Sequence, residues 1–119
     1  MSIDENIPAI VVLLKGYATG TQLRFVHENI LDQLRKHGMS KVLGDDTGLP
    51  TIHAEDQTWI VENWMPRAIA AGLRAAAGRH SDSYFANLSI GRIQSAAQAG
   101  LALRSFADID EARGWLTGV

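Results

Sequence analysis

A chain of 119 residues, 46% hydrophobic and 20% charged, is long enough for one globular domain with a single core. Its formal net charge is −2 and its basic residues are scattered, so it offers no basic surface for phosphate and we expect no nucleic-acid binding. It contains no cysteine, which excludes disulfides, thiol catalysis and cysteine-bound metals.

The first apolar run covers residues 7–14 and predicts a strand buried on both faces. The run is far too short to cross a bilayer, and the acidic residues before it are unlike a signal peptide. We therefore expect a cytoplasmic protein without membrane insertion. A helix should follow, capped by Thr19 or Thr21 and ending at His37, with Phe25 off its apolar stripe.

A long helix is predicted over residues 54–71, after a short strand over 41–44 and a turn over 45–48. Pro66 lies inside the helical pattern and cannot donate a backbone hydrogen bond. We therefore expect a kink or a local break near Glu62.

The two tryptophans of this helix fall on opposite arcs at about 100° per residue. Trp64 shares its arc with apolar residues and belongs in the core. Trp59 shares its arc with polar residues, which favours a contact with a partner, because tryptophan is enriched in interface hot spots. Packing inside its own chain, near Tyr84, is the alternative. We expect a two-fold homodimer, with interface candidates Trp59, Asn63, Pro66, Arg67 and Phe25.

The remaining chain continues the alternation of strands and helices. Asp108 and Glu111 have capping-box spacing and open a helix through Leu116. Such alternation predicts an α/β fold with a mostly parallel sheet and crossover helices. The intervening segments are a weak strand over 73–77, an ambiguous stretch over 81–88, a helix over 89–99 and a strand over 101–106.

Several short motifs are spread along the chain. They are Gly-Tyr-Ala-Thr at 16–19, Asp-Asp-Thr-Gly at 45–48, Glu-Asp at 55–56, Trp-Met-Pro-Arg at 64–67, and Phe106 followed by Glu-Ala at 111–112 and Trp-Leu at 115–116. Together, from about Ile7 onward, they resemble the SpoIIAA-like family of small bacterial proteins, which is related in fold to STAS domains. The resemblance implies four to five mostly parallel strands with about four helices. It also implies a non-enzymatic regulatory or interaction module that binds an unknown protein partner or itself.

Phosphorylation of one hydroxyl is the switch in STAS anti-sigma-factor antagonists, at the start of the helix after the Asp-containing loop. The corresponding stretch here has Thr51 as its only hydroxyl, and Thr51 precedes the expected helix. The resemblance therefore makes Thr51 the phospho-acceptor candidate, although the switch serine itself is absent.

Catalysis would have to use Asp46, at the carboxyl end of a strand, with His53 at the mouth of the same loop. The Asp pair at 45–46 lacks Asp-x-Asp spacing, and the histidines form no metal-ligand pattern. We therefore expect local hydrogen bonds at these residues, no enzymatic activity, no metal and no cofactor.

A small-ligand or lipid-binding domain is the alternative function, with an apolar pocket between sheet and helices. An internal cavity lined by Trp64 and by leucine or isoleucine would favour it, whereas a closed core with a flat aromatic patch would favour the interaction module. Convergence of Asp46, His53 and a helix N-terminus on one cleft would favour an enzyme. The pocket candidates are Tyr17, Asp46, His53, Trp64 and Tyr84.

Overall fold

The computed structural model describes residues 1–13, 20–97 and 100–119. Its strands are β1 (Ser2–Asp4), β2 (Ala9–Leu13), β3 (Lys41–Asp45), β4 (Ala75–Arg79) and β5 (Ala102–Phe106). They form one five-stranded sheet in the order β1-β2-β3-β4-β5. β1 pairs antiparallel with β2, and the other neighbouring pairs are parallel. The expected α/β fold with a mostly parallel sheet is confirmed, while β1 was not predicted.

Four helical segments connect and follow these strands. They are α1 (Gly20–His37), α2 (Ala54–Trp59) continued by a π turn (Ile60–Trp64) into α3 (Met65–Ala70), α4 (Tyr84–Ser95) and α5 (Ile109–Thr117). The end of α1 at His37 agrees with the sequence, because Gly38 takes the positive φ of 63° that glycine accepts most easily.

The start of α4 differs from the sequence-based prediction. The helix begins at Tyr84, inside the ambiguous stretch, because the Ser83 hydroxyl accepts a hydrogen bond from the Ala86 N–H and caps it. It ends at Ser95, and residues 98–99 of the predicted helix lie outside the described residues. The start of α5 was predicted correctly: the Asp108 side chain accepts from the backbone N–H two residues on.

Pro66 breaks the long helix near the predicted place and has a further consequence. The backbone before it forms an i→i−5 hydrogen bond, so Ile60–Trp64 is a π turn that accommodates the proline. The additional residue in this turn brings Trp59 and Trp64 toward the same side. Both rings pack edge-on against His27, with centroids 6.2 and 4.9 Å away. The expectation that the two tryptophans face opposite ways is therefore wrong.

The two faces of the sheet are covered unequally. Side chains alternate between faces along each strand, and Val12, Val42 and Leu103 belong to the face covered by α1, the α2–α3 segment and α4, here called the helix-rich face. Leu43 and Ala75 belong to the opposite face, which packs against α5 and is here called the α5 face. The larger hydrophobic cluster lies on the helix-rich face.

Asp56 joins the first two helices of the helix-rich face. Its side chain is 1% exposed; one carboxylate oxygen accepts from the Gly20 N–H at 3.0 Å and the other from Arg24 Nε at 3.3 Å. A buried carboxylate with two donors is electrostatically compensated. This contact fixes the start of α1 against α2.

Candidate functional site

A cavity of about 160 Å³ lies between the helix-rich face and the helices that cover it. Its floor includes a row of registered residues across four strands, Val12, Gly44, Gly78 and Ser105, here called the small-residue row. The neighbouring row toward the amino ends is Ile10, Val42, Ala76 and Leu103. Its side chain is larger on each of the four strands. The cavity therefore lies toward the carboxyl ends of the parallel strands, where α/β sheets usually bind ligands.

Apolar side chains from three helical segments form the walls of the cavity. Trp64 is the aromatic wall; it is 7% exposed, and its indole N–H donates to the backbone oxygen of His27 at 2.7 Å. This hydrogen bond satisfies the polar atom of the ring and fixes its orientation. Other apolar wall residues are Leu23 and Ile30 from α1, Ile60 and Met65 from the long helix, and Ile90 and Ile93 from α4.

Asp46 places a carboxyl group in this apolar surrounding. It follows β3 directly, and its side chain lies over the glycine pair of the small-residue row. A Cβ atom added at Gly78 would lie 2.8 Å from one carboxyl oxygen of Asp46, and one added at Gly44 would lie 3.3 Å from the other. Glycine at both positions therefore makes room for the carboxyl group as well as for the cavity.

The electrostatic environment of Asp46 is unusual for an aspartate. Burial, with a further contribution from the neighbouring charge of Asp45, raises its pKa to about 7. Among the described residues, no group donates a hydrogen bond to this carboxyl. At neutral pH the group is therefore divided between its charged and neutral forms. A carboxyl with such a pKa in a cavity marks a candidate functional site.

His27 lines the same cavity and was not identified from the sequence. Its Nδ1 lies 2.9 Å from the carbonyl oxygen of Leu23, and since a carbonyl only accepts, Nδ1 carries the proton. Burial lowers the pKa of His27, so the ring is neutral. It could have been suspected from its place on the apolar side of α1, four residues after Leu23.

The neighbouring Asp45 has the local role expected of the Asp pair. Its carboxylate accepts from the Thr47 N–H at 3.1 Å and from the Thr47 hydroxyl. Arg79 donates to the same hydroxyl and lies 3.8 Å from the Asp82 carboxylate. The prediction of turn hydrogen bonds is therefore confirmed for Asp45 but not for the side chain of Asp46.

The residues expected to form a pocket separate into two groups. Asp46 and Trp64 both line the cavity. His53 is exposed before α2 and makes no capping hydrogen bond with its side chain, and Tyr84 is 70% exposed. Neither is among the described residues that line the cavity, so the structure corrects the expectation that they do. Tyr17 lies outside the described residues.

The expected interface residue Trp59 is occupied by contacts within the chain. Its ring is partly buried, with the Arg24 guanidinium carbon 5.2 Å and the Arg67 guanidinium carbon 5.9 Å from its centroid. Arg67 also donates to the Glu28 carboxylate at 2.9 Å and to the side chain of Asn63. These contacts of Trp59 and Arg67 lie within the chain and do not require a partner protein.

The other sequence-predicted candidates lie at the surface to different degrees. Phe25 is 66% exposed on α1, Asn63 is exposed, and Pro66 is partly buried. Thr51 is exposed before α2, and phosphorylation there stays a prediction. Self-association through Trp59, Asn63 and Pro66 also stays a prediction.

Neither a membrane-spanning helix nor a metal site is found in the described part of the chain. Among residues 1–13, 20–97 and 100–119, no helix combines the length and apolar character needed to cross a bilayer. The same residues contain no group of three or more His, Cys, Asp or Glu side chains placed to hold a metal ion.

Comparisons of the chain with known protein families, with curated proteins and with solved structures find no match. The fold is therefore assigned from its own topology, and the resemblance to SpoIIAA-like proteins stays a prediction.

Proposed function

We propose that this chain is a binding domain for a small, mostly apolar ligand held in the cavity between the sheet and the helices. One observation carries the proposal: among the described residues, the cavity is lined by Trp64 and by leucine and isoleucine side chains, and Asp46, which is partly buried, supplies its one carboxyl group. Ligand sites commonly combine apolar walls with a small number of polar groups.

The volume of the cavity limits the size of the ligand. Drug-sized ligands occupy pockets of about 300–1,000 Å³, whereas apolar cavities near 150 Å³ accept benzene. At about 160 Å³, the cavity suits a compound with one ring or a short alkyl chain. A long-chain lipid does not fit this volume.

Binding without catalysis is the form of activity proposed. The histidine expected to act with Asp46, His53, is exposed and does not line the cavity.

Filling the cavity from the sheet tests the proposal. In Ala76→Leu, three additional carbon atoms enter the cavity, and we expect binding of benzyl alcohol to be lost. Ala102→Leu is the matched control, because Ala102 is exposed and on the opposite face of neighbouring β5. Calorimetric titration and the indole N–H resonance of Trp64 measure binding. Equal binding by Ala76→Leu and wild type, or none by wild type, contradicts the proposal.

A second candidate function is the binding of a protein partner or a second copy of this chain. An exposed apolar face of α4 favours it: Tyr84, Phe85 and Leu88 are 70%, 65% and 41% exposed, and the two rings lie 5.6 Å apart. Sedimentation of wild type, Phe85→Ala and Trp59→Ala shows whether a dimer forms through α4 or through the helix that carries Trp59. A dimer lost only in Phe85→Ala assigns the contact to α4. A dimer lost only in Trp59→Ala assigns the contact to Trp59 and its neighbours Asn63 and Pro66. If all three proteins are monomers, self-association is excluded.

A further inference from the structure

Among residues 1–13, 20–97 and 100–119, no charged group forms an ion pair with the Asp46 carboxylate. Arg79 is the basic residue of the adjoining strand, and its guanidinium is directed to the Thr47 hydroxyl and the Asp82 carboxylate. Arg104 of β5 lies with its guanidinium carbon 5.0 Å from the ring centroid of Phe106. Neither cation is hydrogen-bonded to Asp46.

The titratable groups nearest the cavity do not compensate this charge either. Asp45 has the same sign and contributes to the raised pKa of Asp46. His27 faces the cavity from α1, and burial keeps it neutral by lowering its pKa. From α4, Gln94 is uncharged and donates to the Ser105 hydroxyl at 2.8 Å. Within the described residues, the ionised form of Asp46 therefore has no partner of opposite charge.

We propose that the ligand of this cavity is a small organic ammonium ion, whose cationic nitrogen pairs with Asp46 and whose single ring or short alkyl group packs against Trp64. This inference rests on the proposed ligand-binding function. A cation supplies the positive charge that no described side chain pairs with Asp46, and the face of an indole ring attracts cations. An anion would be repelled by the Asp46 carboxylate, and a neutral ligand would cover this partly buried carboxylate without compensating its charge.

Proton release should accompany the binding of such a ligand near neutral pH. An ammonium ion stabilises the ionised carboxylate and so lowers its proton affinity. With a pKa of about 7, the carboxylate is about one-tenth ionised at pH 6 and about nine-tenths ionised at pH 8. The affinity for a permanently protonated amine should therefore rise about tenfold between these two pH values. Burial lowers the pKa of His27, which disfavours its protonation in this range.

Benzylamine and benzyl alcohol are suitable probes because they have similar size and differ in charge. Calorimetric titration of wild type at pH 6, 7 and 8 should show the tenfold gain for benzylamine and none for benzyl alcohol. Repeating the titration at pH 7 in buffers of different ionisation enthalpy should show proton release with benzylamine only. Asp46→Asn should lose the pH dependence and bind benzylamine at least tenfold more weakly at pH 8.

Asp82→Asn is the matched control, since it removes a nearby carboxylate that is exposed and outside the cavity. It should bind benzylamine as wild type does. If benzyl alcohol binds but benzylamine binds no tighter at pH 8, the ammonium inference is overturned while the ligand-binding function stands. The same holds if Asp46→Asn keeps the benzylamine affinity of wild type. If neither probe binds, the proposed function fails together with the inference.

Discussion

The helix-rich face and the α5 face of the sheet use small residues with opposite results. On the α5 face, Ala75 and Ala77 of β4 are buried against α5, whose Ala112 and Leu116 are fully buried. Gly78, the neighbour of Ala77 on the other face of the same strand, lies at the floor of the cavity. Small side chains therefore allow close contact under one helix and leave space under the others. How closely the covering helix approaches the strand determines whether the small side chains pack against it or leave a cavity.

The path of the chain explains why the two faces are covered so differently. Each parallel crossover moves to the next strand in the same direction across the sheet. Because such crossovers have the same hand, their helices lie on the same face. Three helical segments must therefore share the helix-rich face, whereas α5 follows the last strand and packs alone on the other.

The largest expected difference between the faces comes from the partly buried carboxyl group of Asp46. Its pKa is raised from the usual 3.8 to about 7, so between these values the folded state holds a proton that the unfolded state has lost. The contribution of Asp46 to stability must then fall as pH rises through this range and level off above about 7. From pH 5 to pH 8 the loss should be about 2–3 kcal/mol at 1.36 kcal/mol per pKa unit.

Urea denaturation of wild type and Asp46→Asn at pH 5, 6, 7 and 8 measures this contribution. The stability difference between the two proteins should grow with pH in favour of the asparagine variant. The effect of His27 cancels in this difference, because both proteins retain it. A difference that does not change with pH would place Asp46 in an ordinary solvated environment.

A smaller contrast should separate the neighbouring residues Ala75 and Ala76, which face opposite ways on β4. Ala75→Leu forces its side chain against α5 and should lower the free energy of unfolding by about 1–3 kcal/mol, as overpacking does. Ala76→Leu directs the same atoms into the cavity and should cost less than about 1 kcal/mol. Equal losses in the two variants, measured by urea denaturation, would mean that both faces are equally closed.

The smallest expected effect tests the contact between Asp46 and the glycine floor. Gly78→Ala should push the Asp46 carboxyl from its position, since the new Cβ would lie 2.8 Å from a carboxyl oxygen. In an Asp46→Ala background that oxygen is absent and the same substitution should cost less, because only the Gly44 carbonyl oxygen, 3.3 Å from the new Cβ, still crowds it. A double-mutant cycle should therefore give a coupling on the order of 1 kcal/mol. A coupling of zero would show that the Asp46 side chain moves away from the new Cβ at no cost in free energy.

Local signals were sufficient for much of the fold. Asp108 carries a capping pattern that acts over two residues, and Gly38 ends α1 through its own backbone conformation. Both can be recognised in a single stretch of sequence. β1 could not, because Ser2–Asp4 is short and polar and is held as a strand by pairing with β2. The start of α4 was missed because Tyr84 and Phe85 remain exposed and give no apolar periodicity.

The candidate site was less predictable, because it depends on relations between distant residues. Pro66 predicted a break, but only the π turn explains why Trp59 and Trp64 both reach His27. Likewise, Gly44 and Gly78 become the floor of a cavity through the parallel register of β3 and β4. The sequence placed Asp46 at the correct end of the sheet but could not show that its carboxyl would lack a partner among the described residues.

The strand order has a consequence for synthesis on the ribosome. Each strand pairs with the strand before it in the chain, so a nascent chain can extend the sheet one strand at a time while α1, the α2–α3 segment and α4 cover one face. The α5 face stays uncovered until residues 109–117, which form α5, have been synthesised. Until they emerge, Leu43 and the alanines of β4 form an uncovered apolar surface. That surface is where a chaperone would bind the nascent chain and where aggregation would begin.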